Sequence, residues 1–423
     1  MLFDKQFMFL KRALGLAVFF VGAQAAQAGG LFAPFSLDST GTLPKGVRNV
    51  RLSGFTTEIT DKYTGAGNVE PLASAFNKPV TWKQLTDAQP AGFERGQFRG
   101  GLRSLGINMD QVVGESRGVV NTRVTTTLPV LAYGVTERLT VGLAVPIVYS
   151  NVNVDTGWSA SSSFQATLDK LSRGGFYNKV LANEAKLQNV VATKIASYGY
   201  KPLENETRTD VGDVTVAAKY LTYKNEKVAL AVAPRVVIPT GRKADVDKLV
   251  DVAPGDGQWD VGVSAVADYF HSGAITFNTS AGYMHQFESN KAKRIPASAD
   301  ESLSADIDPF VREKLGDIAS AGLGARYAIR ELWTLGAAYN FQYKFRDAYY
   351  GGAYAPERYN YLSEGTEQNM HTATVGASFS TIPLFRSKRF AVPMEAGLNY
   401  STVFAGRNVS RIALTSFDLA MFF

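Results

Sequence analysis

Residues 333–345 read WTLGAAYNFQYKF. Trp333, Leu335, Ala337, Tyr339, Phe341, Tyr343 and Phe345 fall on one parity, and Thr334, Gly336, Ala338, Asn340, Gln342 and Lys344 on the other. Side chains alternate between the two faces of a strand, so this is a strand with one continuously apolar face. Residues 259–270 repeat the pattern: Trp259, Val261, Val263, Ala265, Ala267 and Tyr269 alternate with Asp260, Gly262, Ser264, Val266, Asp268 and Phe270. Residues 390–401 do so again, with Phe390, Val392, Met394, Ala396, Leu398 and Tyr400 on the apolar side.

A soluble sandwich also alternates, so the spacing of the aromatics has to decide. Trp259 and Tyr269, Trp333 and Tyr343, and Phe390 and Tyr400 each stand ten residues apart on the apolar face. Ten residues at about 3.3 Å give roughly 33 Å, which a tilt of about 40° projects to roughly 25 Å. That is the height of the lipid-facing band between the two aromatic girdles of an outer-membrane barrel.

The connections give an independent count. Short turns follow Tyr133, Tyr223, His271, Ile329 and Ile382, while longer connections fall near 60–115, 155–210, 240–257, 288–315 and 346–368, with a brief one at 404–408. Their alternation predicts an all-β transmembrane antiparallel barrel of about twelve strands, with helical segments in the long external loops at 60–115 and 155–210. At the carboxyl end Phe417, Leu419, Met421 and Phe423 alternate to the last residue. This resembles the C-terminal signal that the barrel-insertion machinery reads.

Lys5, Lys11 and Arg12 precede an apolar run, Ala13 to Ala23, followed by Ala23-Gln24-Ala25 and Ala26-Gln27-Ala28. A basic start, a short apolar stretch and small residues describe a secretory signal over 1–28, cut after Ala25 or Ala28, with the barrel over 29–423. The expected location is the outer membrane of a Gram-negative envelope, with membrane lipid, the insertion machinery and a small solute as partners.

Composition narrows the function. Hydrophobic residues make up 45% of the 423 residues and charged residues 19%, which excludes a disordered chain. No cysteine and three histidines leave little for thiolate, zinc or acid–base chemistry. The formal charge of +6 is scattered rather than gathered into a stripe, so nucleic acid is no partner, and no cofactor is expected. His271 precedes Ser272-Gly273 in a turn, His285 precedes Gln286-Phe287 and His371 precedes Thr372-Ala373. None offers a Ser and a His two apart on one strand face, so an enzyme is not expected.

Gly212-Asp213-Val214, then Ile238-Pro239-Thr240-Gly241, then Gly255-Asp256-Gly257-Gln258-Trp259-Asp260-Val261-Gly262 resemble the outer-membrane proteins of the phenol meta-pathway family, described as transporters. The motifs span about residues 210–290, and the remainder resembles the family in architecture. The resemblance implies an uptake channel for a small hydrophobic or aromatic solute.

Strand parity places Arg51, Arg123, Asp213, Lys219, Arg235, Asp260, Asp268, Arg326, Lys344, Glu395 and Asp418 on the lumen face, among small and polar residues. The pore expected from them is narrow, polar and weakly selective. Arg235 with Asp260, and Arg51 with Asp418 and Glu395, fall at similar heights. They form either a constriction or a self-neutralising network. In the loops, Val180, Leu187, Val191 and Ile195 recur at helical spacing, and so do Phe98, Leu102 and Leu105 beside Arg95, Arg99 and Arg103. The readings are a lid or plug at the mouth, phosphates of surface lipid bound by the arginines, or helices packed on the rim with a solvated basic side. Asp245, Asp247, Asp251 and Asp256, and Asp300, Glu301, Asp306 and Asp308, crowd two loops without a calcium-loop spacing, so solvated acidic loops and no metal are expected. Tyr349, Tyr350, Tyr354, Tyr359 and Tyr361 offer either a stacking surface or an interfacial belt. A non-conducting surface barrel with a structural or partner-binding role is the alternative function.

Overall fold

The computed structural model describes residues 39–87, 92–173, 195–299, 301 and 303–423. The signal segment 1–28, together with Val180, Leu187, Val191 and Asp300, lies outside the described residues. Twelve antiparallel strands form the wall: β1 (Arg48–Ile59), β2 (Val112–Thr136), β3 (Leu139–Ala144), β4 (Val214–Lys224), β5 (Val228–Ile238), β6 (Asp260–Phe270), β7 (Ile275–Gln286), β8 (Ile318–Ile329), β9 (Trp333–Lys344), β10 (Gln368–Ser380), β11 (Met394–Arg407) and β12 (Ala413–Phe422). Each pairs with the next, and β12 pairs back onto β1, so the barrel closes and leaves no open edge around the ring. The last residue takes part, since Phe423 N donates to Arg48 O at 2.9 Å and Arg48 N donates to Phe423 O at 3.0 Å.

The outer face is apolar and uncovered. Leu323, Leu398 and Val375 expose 61%, 60% and 56% of their surface, and Trp259, Tyr269, Trp333 and Tyr400 are exposed as well. Among the described residues no second sheet or helix layer lies over them, and the solvent of this face is lipid. No helix of the described residues is long and apolar enough to cross a membrane, and the strands do the crossing. One boundary differs from the sequence reading. β11 begins at Met394, so Phe390 lies in the connection from β10 although it is exposed, and that connection holds a short helix, Ile382–Arg386.

Three strands run on past the membrane band. β2 has 25 residues. β3 breaks at Val145-Pro146 and resumes as Ile147–Ala160 against β2, and Glu206–Val211 pairs with that continuation before the chain bends into β4. Proline cannot donate to a ladder, and the bend at Gly212 fits over it: Gly212 N donates to Pro146 O at 2.8 Å, and a Cβ there would stand 2.9 Å from the proline ring.

On this projecting sheet sit α1 (Trp82–Asp87), α2 (Phe93–Ser104) and α3 (Ser162–Arg173). They share a separate apolar core with Trp82, Leu85, Leu102, Phe164, Leu168 and Leu171 buried. Trp82 stacks on Phe164 at 5.2 Å between ring centroids. Leu102 is buried and Phe98 packs partly, whereas Leu105 is exposed at the helix end beside exposed Arg103.

Candidate functional site

The inner wall divides into three levels. At the end carrying the short turns, a segment from Ser39 to Val47 runs along the inner wall from β3 to β6. Lys219 of β4, almost fully buried, donates from Nζ to Ser39 O at 2.6 Å. Asp268 of β6 accepts from Thr40 N at 2.9 Å and from Thr40 Oγ1 at 2.5 Å. The same carboxylate takes Asn278 Nδ2 at 2.9 Å and Arg326 at 3.1 Å. Leu43 N donates to Thr140 Oγ1 at 2.8 Å, and Gly46 and Val47 pair with Gly134. Buried charges need partners, and here the amino-terminal segment supplies several of them.

The middle level is a row of register partners. Arg51 of β1 faces Ala420 of β12, which faces Glu395 of β11; one inward step up, Ser53 faces Asp418. Ser53 Oγ donates to Asp418, Asn399 Nδ2 reaches the same carboxylate at 3.4 Å, and the charge of Arg51 attracts both Asp418 and Glu395. The row carries two carboxylates and one guanidinium on the inner face.

The outer level is apolar, which departs from the uniformly polar lumen expected from the sequence. Inward side chains Phe55, Ile59, Val120, Val124, Met370 and Val403 meet loop residues Leu72, Ile195, Tyr200, Leu249, Val250, Val252 and Leu303 in one buried cluster. Fully burying each such side chain is worth about 1.5–3 kcal/mol, so the loops that supply them are drawn inward over the mouth. Of the helical residues expected from spacing, Ile195 enters this cluster, while α1–α3 keep to their own core.

The loop 239–259 lies over this mouth, with Leu249, Val250 and Val252 in the cluster, and ion pairs clamp it. Arg242 makes a two-pronged contact to Asp251 at 2.8 and 2.9 Å and a third to Asp210 at 3.0 Å. Lys248 reaches Glu206 at 2.6 Å, Arg294 reaches Asp247 at 2.6 Å and Lys201 reaches Asp245 at 2.5 Å. The solvated acidic loop expected from Asp245, Asp247 and Asp251 is therefore corrected: each carboxylate answers a cation from a neighbouring segment. Asp306 likewise pairs with Arg358 at 2.6 Å. The backbones within the lid touch, and a Cβ on Gly255 would come 2.6 Å from the carbonyl carbon of Gly241. That contact is the physical reason for glycine in both of the motifs Ile238–Gly241 and Gly255–Gly262. Asp213 accepts from Gly241 N at 2.8 Å and so ties the bend before β4 to the lid.

Arg123 is corrected. On β2 the even-numbered residues point inward and the odd ones outward, so Arg123 stands on the outer surface opposite Glu58, 3.4 Å away, above the apolar band. Arg235 faces inward opposite Gly262, and Asp260 faces inward opposite Val237, a diagonal rather than a direct pair. Lys344 is buried in an ion pair with Asp347. The loop tyrosines divide: Tyr359 is buried and donates to Asp308, while Tyr350 and Tyr354 stack under Arg312 and Arg358 at 4.8 and 4.4 Å. His285 contacts Asp317 at 3.1 Å and His371 contacts Tyr339 at 2.8 Å. Among the described residues no group of three or more His, Asp or Glu is placed to hold a metal ion.

The apolar mouth was missed in the sequence, although Leu249-Val250-Asp251-Val252-Ala253, an apolar run inside a charged loop, carried its signal. The segment 39–47 has no periodicity to read, and nothing in it marked the inner contact.

Comparison with solved structures places the architecture. An outer membrane channel from Pseudomonas putida F1 superposes with a TM-score of 0.52 at 12% identity, covering 91% of this chain and 98% of that one. The translocator domain of the autotransporter NalP from Neisseria meningitidis gives 0.38 at 11% identity, over 97% and 99% of the two chains. The toluene transporter TodX of Pseudomonas putida gives 0.28 at 11% identity, over 90% and 89%. The first likeness establishes the fold. No curated protein matches the sequence. The family described as "Putative MetA-pathway of phenol degradation" matches residues 95–365, more than half of the chain. The chain is an outer-membrane β-barrel and belongs to that family.

Proposed function

We propose that the barrel is a passive channel for a small apolar or amphipathic solute, not an enzyme. The observation that carries this reading is the layered inner wall: an apolar mouth, a charged middle row and an inner segment held by hydrogen bonds. An apolar cluster at the outer end admits a hydrophobic body that water-filled pores reject. Arg51, Glu395 and Asp418, with Arg235 on the wall, then form the polar lining below it, while Lys219 lies under the inner segment and Asp213, Asp260 and Lys344 take their contacts at the outer end. Twelve strands lie between eight, which side chains fill, and sixteen, which leave an aqueous channel, so the path is narrow and its contents decide whether it opens. Trp259, Tyr269, Trp333, Tyr343, Phe390 and Tyr400 anchor the band in the two interfaces. Phe417, Leu419, Met421 and Phe423 serve as the signal for insertion, after removal of the segment 1–28.

The test is uptake into liposomes with lipopolysaccharide in the outer leaflet, comparing a small uncharged aromatic with a sugar of similar size. Protein-dependent flux of the aromatic that exceeds that of the sugar is expected. Equal flux of both would contradict the apolar mouth as a selective element. The non-conducting surface barrel has its own support in the contacts that hold Ser39 and Thr40 against the inner wall. It predicts flux of neither solute.

A further inference from the structure

The motif Gly255–Gly262 does more than turn the chain. Asp256, Gln258 and Asp260 come from it, and Gln286 ends β7 as the register partner of Asp260. Gln258 N donates to Asp256 Oδ1 at 2.9 Å, and Gln258 Nε2 stands 3.5 Å from Asp260 Oδ1. All four side chains are buried, Gln258 and Gln286 to within 1% of complete. Three of their oxygens, Asp256 Oδ2, Gln258 Oε1 and Gln286 Oε1, have no hydrogen-bond partner, while the carboxamide of Gln286 hydrogen-bonds the Asp260 carboxylate.

Buried polar atoms are ordinarily partnered, so this surplus of acceptors asks for something from outside the chain. While Asp256 is ionised, the three oxygens are all acceptors and cannot satisfy one another. The charge surplus has the same sign: Asp213 and Glu313 act on Asp256 against Lys291, Asp256 and Asp213 act in turn on Asp260, and Glu313 already holds Lys291 and Lys293. Burial, reinforced by Asp213 and Glu313 and opposed by Lys291, pushes the Asp256 carboxyl up to about 7. Carboxylate and carboxamide oxygens together are the ligands of a hard divalent cation, and water admitted with the ion would complete six to eight positions.

We propose that Asp256, Gln258, Asp260 and Gln286 bind one calcium-type cation that staples the lid 239–259 to the outer end of β7. The donor set is two carboxylates and two carboxamides, distinct from the three-carboxylate and histidine groups that the described residues lack. Val252, four residues before Asp256, belongs to the mouth cluster, so the ion holds closed the loop that covers the mouth. The binding site stands on its own geometry and does not depend on the channel reading.

The experiment is calorimetric titration of the purified, chelator-treated full chain with calcium chloride, alongside its thermal unfolding. One saturable site per chain and a rise in Tm are expected. Asp256→Asn and Gln258→Leu, the second keeping the charge unchanged, should each weaken binding about tenfold or more. Heat-dependent gel migration confirms that each variant is a folded barrel. No saturable uptake by the wild type, or uptake unchanged in both variants, overturns the site. Equal affinity for sodium overturns its assignment to a divalent ion.

Discussion

At the residue scale, the account rests on a few close contacts. Arg242 grips Asp251 with two parallel bonds, and Asp251 is 96% buried along its side chain. Arg242→Met leaves that carboxylate uncompensated and should cost about 3 kcal/mol, read as a lowered Tm and faster proteolysis within 239–259. Arg242→Lys should recover only part of the loss, because an ammonium cannot reproduce the fork. An unchanged proteolysis pattern in the methionine variant would contradict the clamp. Asp256 supplies a pH dependence. Its carboxyl rises from the ordinary 3.8 to about 7 in the folded chain, so its contribution to stability is complete below about 4 and lost as pH rises through about 7. Chelator-treated protein should therefore lose protection of the lid in hydrogen exchange as pH rises from about 4 through about 7, and Asp256→Asn should weaken that dependence, leaving what the neighbouring Asp260 contributes. Glu313 has the opposite sign. Burial pushes its carboxyl up, but Lys293 and Lys291 outweigh burial and hold it down to about 2, so the contacts among strands 289–294 and 307–314 persist until strongly acid pH. The residues of the lid were legible as turn chemistry. Their ion pairs were not, because Arg242–Asp210 and Arg294–Asp247 join segments far apart in sequence.

At the scale of elements, the strands were the most readable part of the chain and the loops the least. An uncovered apolar face forces period two over each crossing, so β6 and β9 show their orientation residue by residue. The side taken by Arg123 was not legible for a related reason: above the band both faces of β2 are wet, polarity no longer marks the side, and only the register with Glu58 does. The mouth cluster was hidden because its members come from loops and from both ends of the sequence. Turns retain local cost. Arg330 and Glu331 between β8 and β9 have φ of 51° and 63°, left-handed values that suit glycine. Glu331→Gly should stabilise the barrel by about 1 kcal/mol, measured by denaturant unfolding in detergent; a loss of stability would contradict the strain.

At the scale of the whole molecule, the apolar band turned toward lipid fixes what the inside can be. Charges excluded from the outer face collect on the inner one, where they pair with each other and with the segment 39–47. Glu395→Lys changes the middle row from one cation and two carboxylates to two cations and one carboxylate, and should move ion preference toward anions in reversal-potential measurements. An unchanged preference would place that row outside the ion path. The amino-terminal contacts, invisible in a stretch of Thr, Gly and Pro, hold a segment against the inner wall in the way of a solute. The most direct test is single-channel recording in planar bilayers of the mature chain beside a chain lacking residues 29–42. Small, infrequent openings in the first and larger, steadier ones in the second are predicted, whereas silence from both would contradict a solute path through the barrel.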